Sequence, residues 1–247
     1  MDSQPTLRIF YRHVHSKADA NSRDPNKRRP EWFTYEGCFR NLLHTIQNDP
    51  LGPRVRITVM FDGKAPDFAD DFVSRYQQHP ENNIALEFLE AGSDKNSALI
   101  TLHYMVQYPC ADTDIAYMLE NDYMHQPGWV SKVFELYTST VPFDYLSLYD
   151  HRDKYFLPMY AELQAKLFHS STHHWRTAPS SCGSYLCSFG RFRADYDVFR
   201  MGLPDYFFFN ELINARKRVL LTPIPGLSTH CMEGYLSPAV NWQAYQV

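Results

Sequence analysis

Apolar residues recur along this chain in two patterns, which together predict a succession of strands and helices. Short runs rich in β-branched and aromatic residues predict strands, at residues 7–11, 55–61, 84–89, 113–119, 144–149, 182–189 and 219–224. Apolar residues at helical spacing predict helices, at residues 34–48, 66–78, 97–108, 127–137, 193–199 and 204–213. We expect residues 156–180 to mix helix and loop.

The regular alternation of strand and helix in the first half of the chain favours a parallel sheet with helices packed on it. Right-handed crossovers then place the carboxyl ends of the strands along one edge. The sequence therefore predicts an α/β fold, with a single Rossmann-like domain, a mostly parallel central sheet and helices on both faces.

Polar residues follow each of the first four predicted strands. Arg12 follows the first, Asp62 the second, residues 92–97 the third, and Glu120-Asn121-Asp122 the fourth. Ligands bind at the carboxyl ends of strands in open α/β sheets, so we expect these residues to converge on one site. None of these residues is specific alone, and the prediction rests on their shared placement.

The acidic stretch after the fourth strand suggests a metal site. Glu120 and Asp122 are two residues apart, so on an extended chain their side chains project from the same side. Carboxylate oxygens suit Mg²⁺ or Mn²⁺, which usually also hold substrate phosphates. The alternative is a strand that runs into a solvated acidic turn.

A long polar stretch, residues 12–30, is rich in positive charge. It contains Arg12, His13, His15, Lys17, Arg23, Lys27, Arg28 and Arg29. Beside a sheet end, such residues suit a diphosphate or another anion. A solvated, flexible insertion is an equally good interpretation, because runs of charge are usually solvated.

Composition limits the class of protein. The chain has 247 residues, of which 44% are hydrophobic and 21% charged, as in ordinary globular proteins. Aromatic residues reach 15%, which suits a cleft that stacks rings or sugars as well as a core. The net charge of −4 argues against a polyanion binder by bulk charge alone.

Cysteine usage and hydropathy point to a cytoplasmic, soluble protein. The five cysteines are odd in number and irregularly spaced, which argues against a disulfide framework. The polar start of the sequence has no apolar signal core. No run approaches the roughly 18 apolar residues of a membrane span.

The order of these motifs resembles a GT-A-type, family-2-like nucleotide-sugar glycosyltransferase over roughly residues 7–242. The resemblance is carried by residues 117–123 and the following Pro127-Gly128-Trp129, with Glu120-Asn121-Asp122 as a DxD-like motif. It implies that residues 1–125 bind the nucleotide sugar and residues 126–247 the acceptor. The implied donor contacts are Arg12, Asp62, Gly92, Ser93, Ser97, Glu120 and Asn121.

The resemblance also implies a metal, Mn²⁺ or Mg²⁺, that bridges the donor's diphosphate. Asp122 would bind it directly, and Glu120 would contact the ribose or a metal-bound water. His230 stands where the family places a late histidine ligand, and a buried histidine that bonds backbone is the alternative. Asp62 would read the nucleobase, unless it belongs to an ordinary Asp-Gly turn.

Inverting members of the family need a general base for the acceptor hydroxyl. Asp205 is the first candidate, although an aspartate there is also a good helix cap, and Glu211 is the second. His174, Trp175 and Ser181 lie where the resemblance implies an acceptor-binding segment, although a lone tryptophan is more often core.

The favoured function is a metal-dependent hexosyl- or pentosyltransferase that uses a UDP- or GDP-linked sugar and inverts the anomeric configuration. A retaining route is the alternative if no base is needed. The acceptor is a hydroxyl of a glycan or, in the alternative suggested by the basic stretch, of a hydroxymethylated base in DNA. A metal-dependent nucleotidyltransferase or phosphohydrolase and an inactive scaffold stay open. A zinc site is a further alternative, built from His173, His174, Cys182, Cys187, His230 and Cys231.

Overall fold

The structure, a computed structural model, describes residues 4–15 and 28–247. Its strands are β1 (Leu7–Val14), β2 (Val55–Asp62), β3 (Ile84–Leu89), β4 (Ile115–Glu120), β5 (Tyr123–His125), β6 (Tyr145–Leu146), β7 (Leu167–His169), β8 (His174–Thr177), β9 (Tyr185–Ser188), β10 (Leu220–Ile224) and β11 (Ser228–His230). Its α-helices are α1 (Tyr35–Gln47), α2 (Ala65–Ala69), α3 (Phe72–Gln77), α4 (Asp94–Gln107), α5 (Trp129–Thr138), α6 (Phe189–Ala194), α7 (Tyr196–Phe199) and α8 (Asp205–Asn210). Short 3₁₀ turns lie at Gly52–Arg54, Pro80–Asn82, Arg152–Tyr155, Pro158–Tyr160 and Trp242–Tyr245, and a π-helical turn at Glu211–Ala215.

The described residues form two compact units that interleave along the chain. Unit 1 comprises residues 4–15, 53–121 and 182–218, and unit 2 comprises residues 28–52, 122–181 and 219–247. The predicted division into a donor half, 1–125, and an acceptor half, 126–247, concerns binding and stays a prediction.

Unit 1 contains five neighbouring strands in the order β3-β2-β1-β4-β9. The first four are parallel, and β9 pairs antiparallel with β4. The chain builds outward from β1 to β3 and then returns to the other side of β1 with β4. The strand order therefore reverses between β1 and β4, which is the point where open α/β sheets bind ligands.

Aromatic rings fill much of the core of unit 1. Phe10 on β1 makes edge contacts with Tyr104, Tyr108 and Phe189, with ring centroids 5.3 to 6.1 Å apart. Edge-to-face pairs of this kind add to the stabilisation from burial. Much of the high aromatic content is thus used in packing.

Unit 2 contains the strand order β6-β10-β8-β7 and the separate antiparallel pair β5 and β11. Buried Asn41 on α1 fixes β5, because its amide donates to the His125 carbonyl and its oxygen accepts from the His125 amide. Trp129 at the start of α5 donates its indole N–H to Thr45 on the same helix as Asn41. These bonds satisfy polar groups that would be costly to bury alone.

The first strand extends further than its sequence pattern predicts. Residue 12 was predicted to begin a polar stretch, but β1 continues to Val14, and Arg12 and His13 are buried within it. Carboxylates make this burial possible, since Arg12 pairs with Glu120 and His13 with Asp71.

Several other predicted boundaries were wrong. The helix expected at 66–78 is split into α2 and α3, because Asp71 caps a new helix by accepting from the Val73 amide. The helix expected at 193–199 begins earlier, at Phe189, where Ser188 caps it by accepting from the Arg191 amide.

The second half of the chain contains two strands, β7 and β8, that its sequence pattern does not predict. Residues 156–180 hold β7 and β8, because β8 gains backbone partners on β10 and β7. The strands expected at 144–149 and 182–189 are shorter, at Tyr145–Leu146 and Tyr185–Ser188.

Among the described residues, no helix has the length and apolar character needed to cross a membrane. The cytoplasmic location stays a prediction.

Candidate active site

Arg12 and Glu120 meet in unit 1, where the strand order reverses. They are register partners on β1 and β4, and Arg12 Nη1 lies 3.3 Å from Glu120 Oε1. Arg12 Nη2 donates to Asp94 at the start of α4, to its carboxylate at 2.6 Å and its carbonyl at 2.9 Å. A buried guanidinium thus links two strand ends to a helix start.

The carboxylate of Glu120 packs closely against the backbone of Gly183. A Cβ on Gly183 would lie 3.1 Å from the Glu120 carboxyl carbon, closer than ordinary contact. The backbone amide of Glu120 donates to the Ser184 hydroxyl at 3.1 Å. Glycine in this position lets the backbone approach the carboxylate closely.

These residues line a cleft of about 250 Å³ within unit 1. Its apolar wall includes Met118, Leu102, Tyr185, Phe199 and Phe208, and its polar side includes Arg12, Asp94, Lys95, Glu120 and Asp205. An apolar cleft with a few convergent polar groups is the usual form of a small-molecule site.

The two candidate bases occupy different places. Asp205 is the first residue of α8 and lines the cleft, half-buried. Burial raises the pKa of neighbouring Tyr185, and the charges of Cys187 and Asp205 raise it further. Glu211 lies exposed on the π-helical turn and does not line the cleft. The geometry thus favours Asp205, and both roles stay predictions.

The other predicted donor contacts organise the loop before α4. Asp62 Oδ1 accepts from the Ala91 amide at 2.9 Å, and Ser93 caps α4 by accepting from the Asn96 amide. Gly92 has a φ of +70°, a conformation that favours glycine. The carbonyl of buried Ser97 accepts from the Thr101 hydroxyl. None of these four lines the cleft described above.

Asn121 belongs to a buried network beside β1. Its side-chain amide lies 3.0 Å from His13 Nδ1, so His13 accepts there and its Nε2 donates to Asp71. His15 Nδ1 also contacts Asp71, at 3.0 Å. Burial raises the pKa of Asp71, but its bonds to His13 and its other partners lower it overall. A donor contact by Asn121 stays a prediction.

The two predicted metal ligands, Asp122 and His230, come together in unit 2. His230 Nε2 lies 3.0 Å from Asp122 Oδ2, and the His230 ring stacks on Tyr123 with centroids 5.2 Å apart. Arg29 joins them, with Nη2 2.6 Å from the same carboxylate oxygen and Nη1 2.9 Å from the Cys231 carbonyl. Burial raises the pKa of Asp122, but the charges of His230 and Arg29 outweigh it and hold the pKa well below its usual range.

The residues at Asp122 fit a divalent cation in two respects. Asp122 Oδ1 is buried without a hydrogen-bond partner among the described residues. His230 Nε2 lies 3.0 Å from a carboxylate oxygen of Asp122, an acceptor, and 3.3 Å from Arg29 Nη1, a donor. If Nε2 carries a proton the contact with Arg29 is unfavourable, and if it does not the contact with Asp122 is unfavourable. A carboxylate and an imidazole are ligands that Mn²⁺ accepts.

No larger metal cluster occurs in the described part of the chain. No group of three or more His, Cys, Asp or Glu residues is placed to hold a metal ion there. Among these residues, the histidines and cysteines of the zinc alternative therefore form no such group. A cation at Asp122 and His230 would take its other ligands from substrate or water.

The predicted acceptor residues lie on or near β8 in unit 2. His174 is exposed at the strand's start, whereas Trp175 is fully buried and donates its indole N–H to the Ser170 hydroxyl. Ser181 is buried and donates to the Ser147 hydroxyl at 2.7 Å. Trp175 therefore serves the core in this structure, and acceptor contacts by the three stay predictions.

The basic stretch falls largely outside the described residues. Lys17, Arg23 and Lys27 lie there, while Arg28 is exposed and Arg29 is committed to Asp122. The patch invoked for DNA thus loses Arg29 as a free phosphate contact, and the DNA alternative gains no support among the described residues.

The fold is GT-A-like α/β with a mostly parallel sheet, as predicted. It is similar to the crystal structure of GalNAc-T7 with UDP, GalNAc and Mn²⁺, with a TM-score of 0.57 and 8% identity over 96% of this chain and 46% of that one. The crystal structure of S. aureus TarS matches with a TM-score of 0.45 and 10% identity, over 88% of this chain and 35% of that one. The chain thus spans less than half the length of either protein.

Comparison of the amino-acid sequence with known families and curated proteins identifies no relative. No protein-family profile matches the chain, and no curated protein matches it. At 8% identity the likeness establishes the fold, and function rests on the site.

Asp94 and Lys95 lie within residues 92–97, a stretch predicted to converge with Arg12 and Glu120, although neither is among the individual site residues named above. Gly183 lies within the strand predicted at 182–189 and is not a predicted site residue. A glycine just before a strand is a signal of close backbone approach, which here is to Glu120. Tyr185 and Phe199 carry no local signal, because their place in the cleft depends on how distant segments pack.

Proposed function

We propose that this chain is a metal-dependent glycosyltransferase that moves a sugar from a UDP- or GDP-linked donor to a hydroxyl acceptor. The observation that carries the proposal is the cleft where the strand order reverses, at which Arg12, Asp94 and Glu120 meet. The proposal is supported by the fold, which resembles a protein crystallised with UDP, GalNAc and Mn²⁺.

Arg12 and Glu120 are the residues proposed to hold the donor. Glu120 accepts from a ribose hydroxyl, and Arg12 exchanges its exposed partner Asp94 for an oxyanion of the donor. Charge-assisted bonds from a guanidinium to phosphate are strong and can be bidentate. Gly183, which has no side chain, leaves room for the carboxylate of Glu120.

Asp122 and His230 are the residues proposed to hold Mn²⁺ or Mg²⁺. A bound cation neutralises negative charge that builds on the leaving diphosphate. Asp122 follows Glu120 by two residues, so one short stretch of chain supplies both a donor ligand and a metal ligand. His230 and Arg29 keep Asp122 ionised, because both lower the pKa of that carboxyl.

Asp205 is proposed to act as the general base. Its carboxylate takes the proton of the acceptor hydroxyl while that oxygen attacks the anomeric carbon in line with the departing diphosphate, which inverts the configuration. A positioned base of this kind typically contributes about 10²- to 10⁴-fold in rate. Its position at the cleft supports the assignment over Glu211.

A thermal-shift screen tests the donor site. Nucleotide sugars and free UDP and GDP are added to the purified chain with and without Mn²⁺. A ligand at about 100 times its Kd is expected to raise Tm by roughly 5–10 °C. Asp122→Asn, which preserves the shape of the side chain, is expected to remove the part of the shift that depends on Mn²⁺. A lack of response to every nucleotide would refute the proposal.

Transfer kinetics test the base. Asp205→Asn is expected to lower kcat at least 100-fold and to leave donor binding unchanged, whereas Glu211→Gln, the matched control, keeps kcat. The reverse result would move the role to Glu211. Loss of donor binding in Asp205→Asn would instead show that Asp205 binds substrate.

A further inference from the structure

A second cavity lies within unit 2, and none of the residues assigned so far lines it. It is formed by the 3₁₀ turns Arg152–Tyr155 and Pro158–Tyr160 together with β8 and β10, and its volume is about 450 Å³. That volume falls in the usual range for small-molecule sites, about 300–1,000 Å³.

Two buried cationic side chains reach this cavity. The side chain of Lys154 is 3% exposed and that of Arg176 is 7% exposed. Lys154 Nζ contacts the Asp153 carboxylate at 3.1 Å and the Tyr160 hydroxyl at 3.1 Å, and Arg176 Nη2 contacts Asp150 at 2.7 Å. Charged residues are rarely buried unless they are paired.

The pairing of Arg176 is incomplete. Its Nε is buried and has no hydrogen-bond partner in the described part of the chain, and its Nη1 has a weak contact to the Thr177 carbonyl at 3.4 Å. A buried N–H without an acceptor destabilises the folded state. An oxyanion in the cavity would supply the missing acceptor, and a guanidinium edge suits a two-oxygen group.

The rest of the cavity wall is aromatic. Lys154 Nζ lies 4.2 Å from the centre of the Tyr160 ring, and the Arg176 guanidinium lies 5.5 Å from the centre of the Tyr155 ring. Tyr155 and Phe156, both lining the cavity, are more than half exposed. Exposed rings at a pocket offer a flat apolar face to a ligand ring, next to the buried positive charge.

We propose that this cavity binds an acidic sugar, through a carboxylate or a phosphate. The oxyanion bonds to Arg176 Nε and to Lys154, and the sugar ring packs on Tyr155 and Phe156. This site does not depend on the proposed glycosyl transfer. A neutral glycan leaves the Nε of Arg176 unsatisfied and binds weakly.

Direct binding to the full chain tests the site. Glucuronate, glucose 6-phosphate and glucose are titrated by saturation-transfer NMR or calorimetry at constant ionic strength. At least one acid is expected to bind at least tenfold more tightly than glucose, and the tighter of the two identifies the oxyanion. Equal binding of the three sugars, or none by either acid, overturns the proposal.

Two variants locate the binding without removing the buried ion pairs. Ala165 is exposed and lines the cavity, so Ala165→Trp is expected to fill it and reduce acid binding at least tenfold. Gln164→Trp, an exposed neighbour that does not line it, is the matched control and is expected to bind as the natural chain does. Arg176→Lys keeps a charge against Asp150 but removes Nε, and is expected to weaken binding of the acid about tenfold.

Nucleotide binding measured in parallel separates this site from the proposed function. UDP binding is expected to be the same in the natural chain and in Ala165→Trp. If UDP binds and neither acid does, the acidic-sugar site is refuted and the proposed glycosyl transfer stands. If an acid binds but no nucleotide does, the acidic-sugar site is supported and the proposed glycosyl transfer is refuted. Unchanged acid binding in Ala165→Trp would refute the location.

Discussion

Two clusters of this molecule place a guanidinium against carboxylates in opposite surroundings. In unit 1, Arg12 is buried, but its partner Asp94 has a side chain that is 88% exposed. In unit 2, Arg29, Asp122 and His230 are all nearly buried, with Asp122 at 11%. Each cluster pairs a cation with a carboxylate, and the clusters differ in the solvent exposure of that carboxylate.

The difference indicates separate tasks. A solvent-exposed carboxylate is readily exchanged for another anion, because an exposed ion pair adds little to stability and salt screening weakens it further. Arg12 can therefore release Asp94 to a ligand at small cost. Asp122 cannot leave Arg29 without stranding a buried charge, so this cluster is suited to hold a fixed carboxylate for a cation.

The largest expected effect is on Asp122. Asp122→Ala leaves Arg29 buried without its carboxylate, which is expected to lower the free energy of unfolding by about 3–5 kcal/mol. Urea denaturation at neutral pH measures the change. The double variant Asp122→Ala/Arg29→Met is expected to recover part of the loss, because neither charge then remains buried. A loss below about 1 kcal/mol in the single variant would contradict the account of the cluster.

A smaller effect is expected at His125, a buried histidine in the same unit. Burial lowers its pKa to about 3, from an ordinary value of 6.5. Between these values the unfolded chain binds a proton that the folded chain does not, so stability falls as pH falls from 6.5. The loss is at most about 2 kcal/mol between pH 6.5 and 5.

Denaturation at several pH values checks this contribution. His125→Phe removes the titrating group while keeping a ring against Trp129, whose ring centroid lies 4.8 Å away. Its unfolding free energy is expected to depend less steeply on pH over this range than that of the natural chain. Identical slopes would show that His125 titrates normally in the folded state.

The smallest effect is expected at Asp94. Asp94→Ala removes an exposed partner of Arg12, while the Asp94 carbonyl and Glu120 continue to bind the guanidinium. The free energy of unfolding is expected to change by less than about 1 kcal/mol. A loss as large as that of Asp122→Ala would erase the distinction between the two clusters.

The sequence predicted the parts of the fold that depend on local pattern. The strands β1 to β4 each join a β-prone run to a polar end, and the alternation with helices predicts their parallel order. Residues at strand ends, Arg12 and Glu120 among them, could be placed in one region because crossover handedness fixes which edge they share. The structure adds the register, in which Arg12 on β1 is the partner of Glu120 on β4.

Other parts of the site depend on contacts between distant segments. Arg29 was expected to be a solvated or anion-binding cation, but it is 93 residues from the Asp122 that it contacts. Trp175 was considered for a sugar contact, but pairing of β8 with β10 and β7 buries it. The cavity around Arg176 draws on segments that carry no recognisable motif, so sequence pattern gives no sign of it.

Calorimetric titration of UDP and of GDP in the presence of Mn²⁺ tests the central claim most directly. The natural chain is expected to bind at least one of them saturably. Gly183→Ala places a Cβ 3.1 Å from the Glu120 carboxyl carbon, and is expected to weaken that binding about tenfold, or about 1.4 kcal/mol, with the Tm nearly unchanged. Absence of binding by both nucleotides, or equal affinity in Gly183→Ala, would contradict the assignment of the cleft as the donor site.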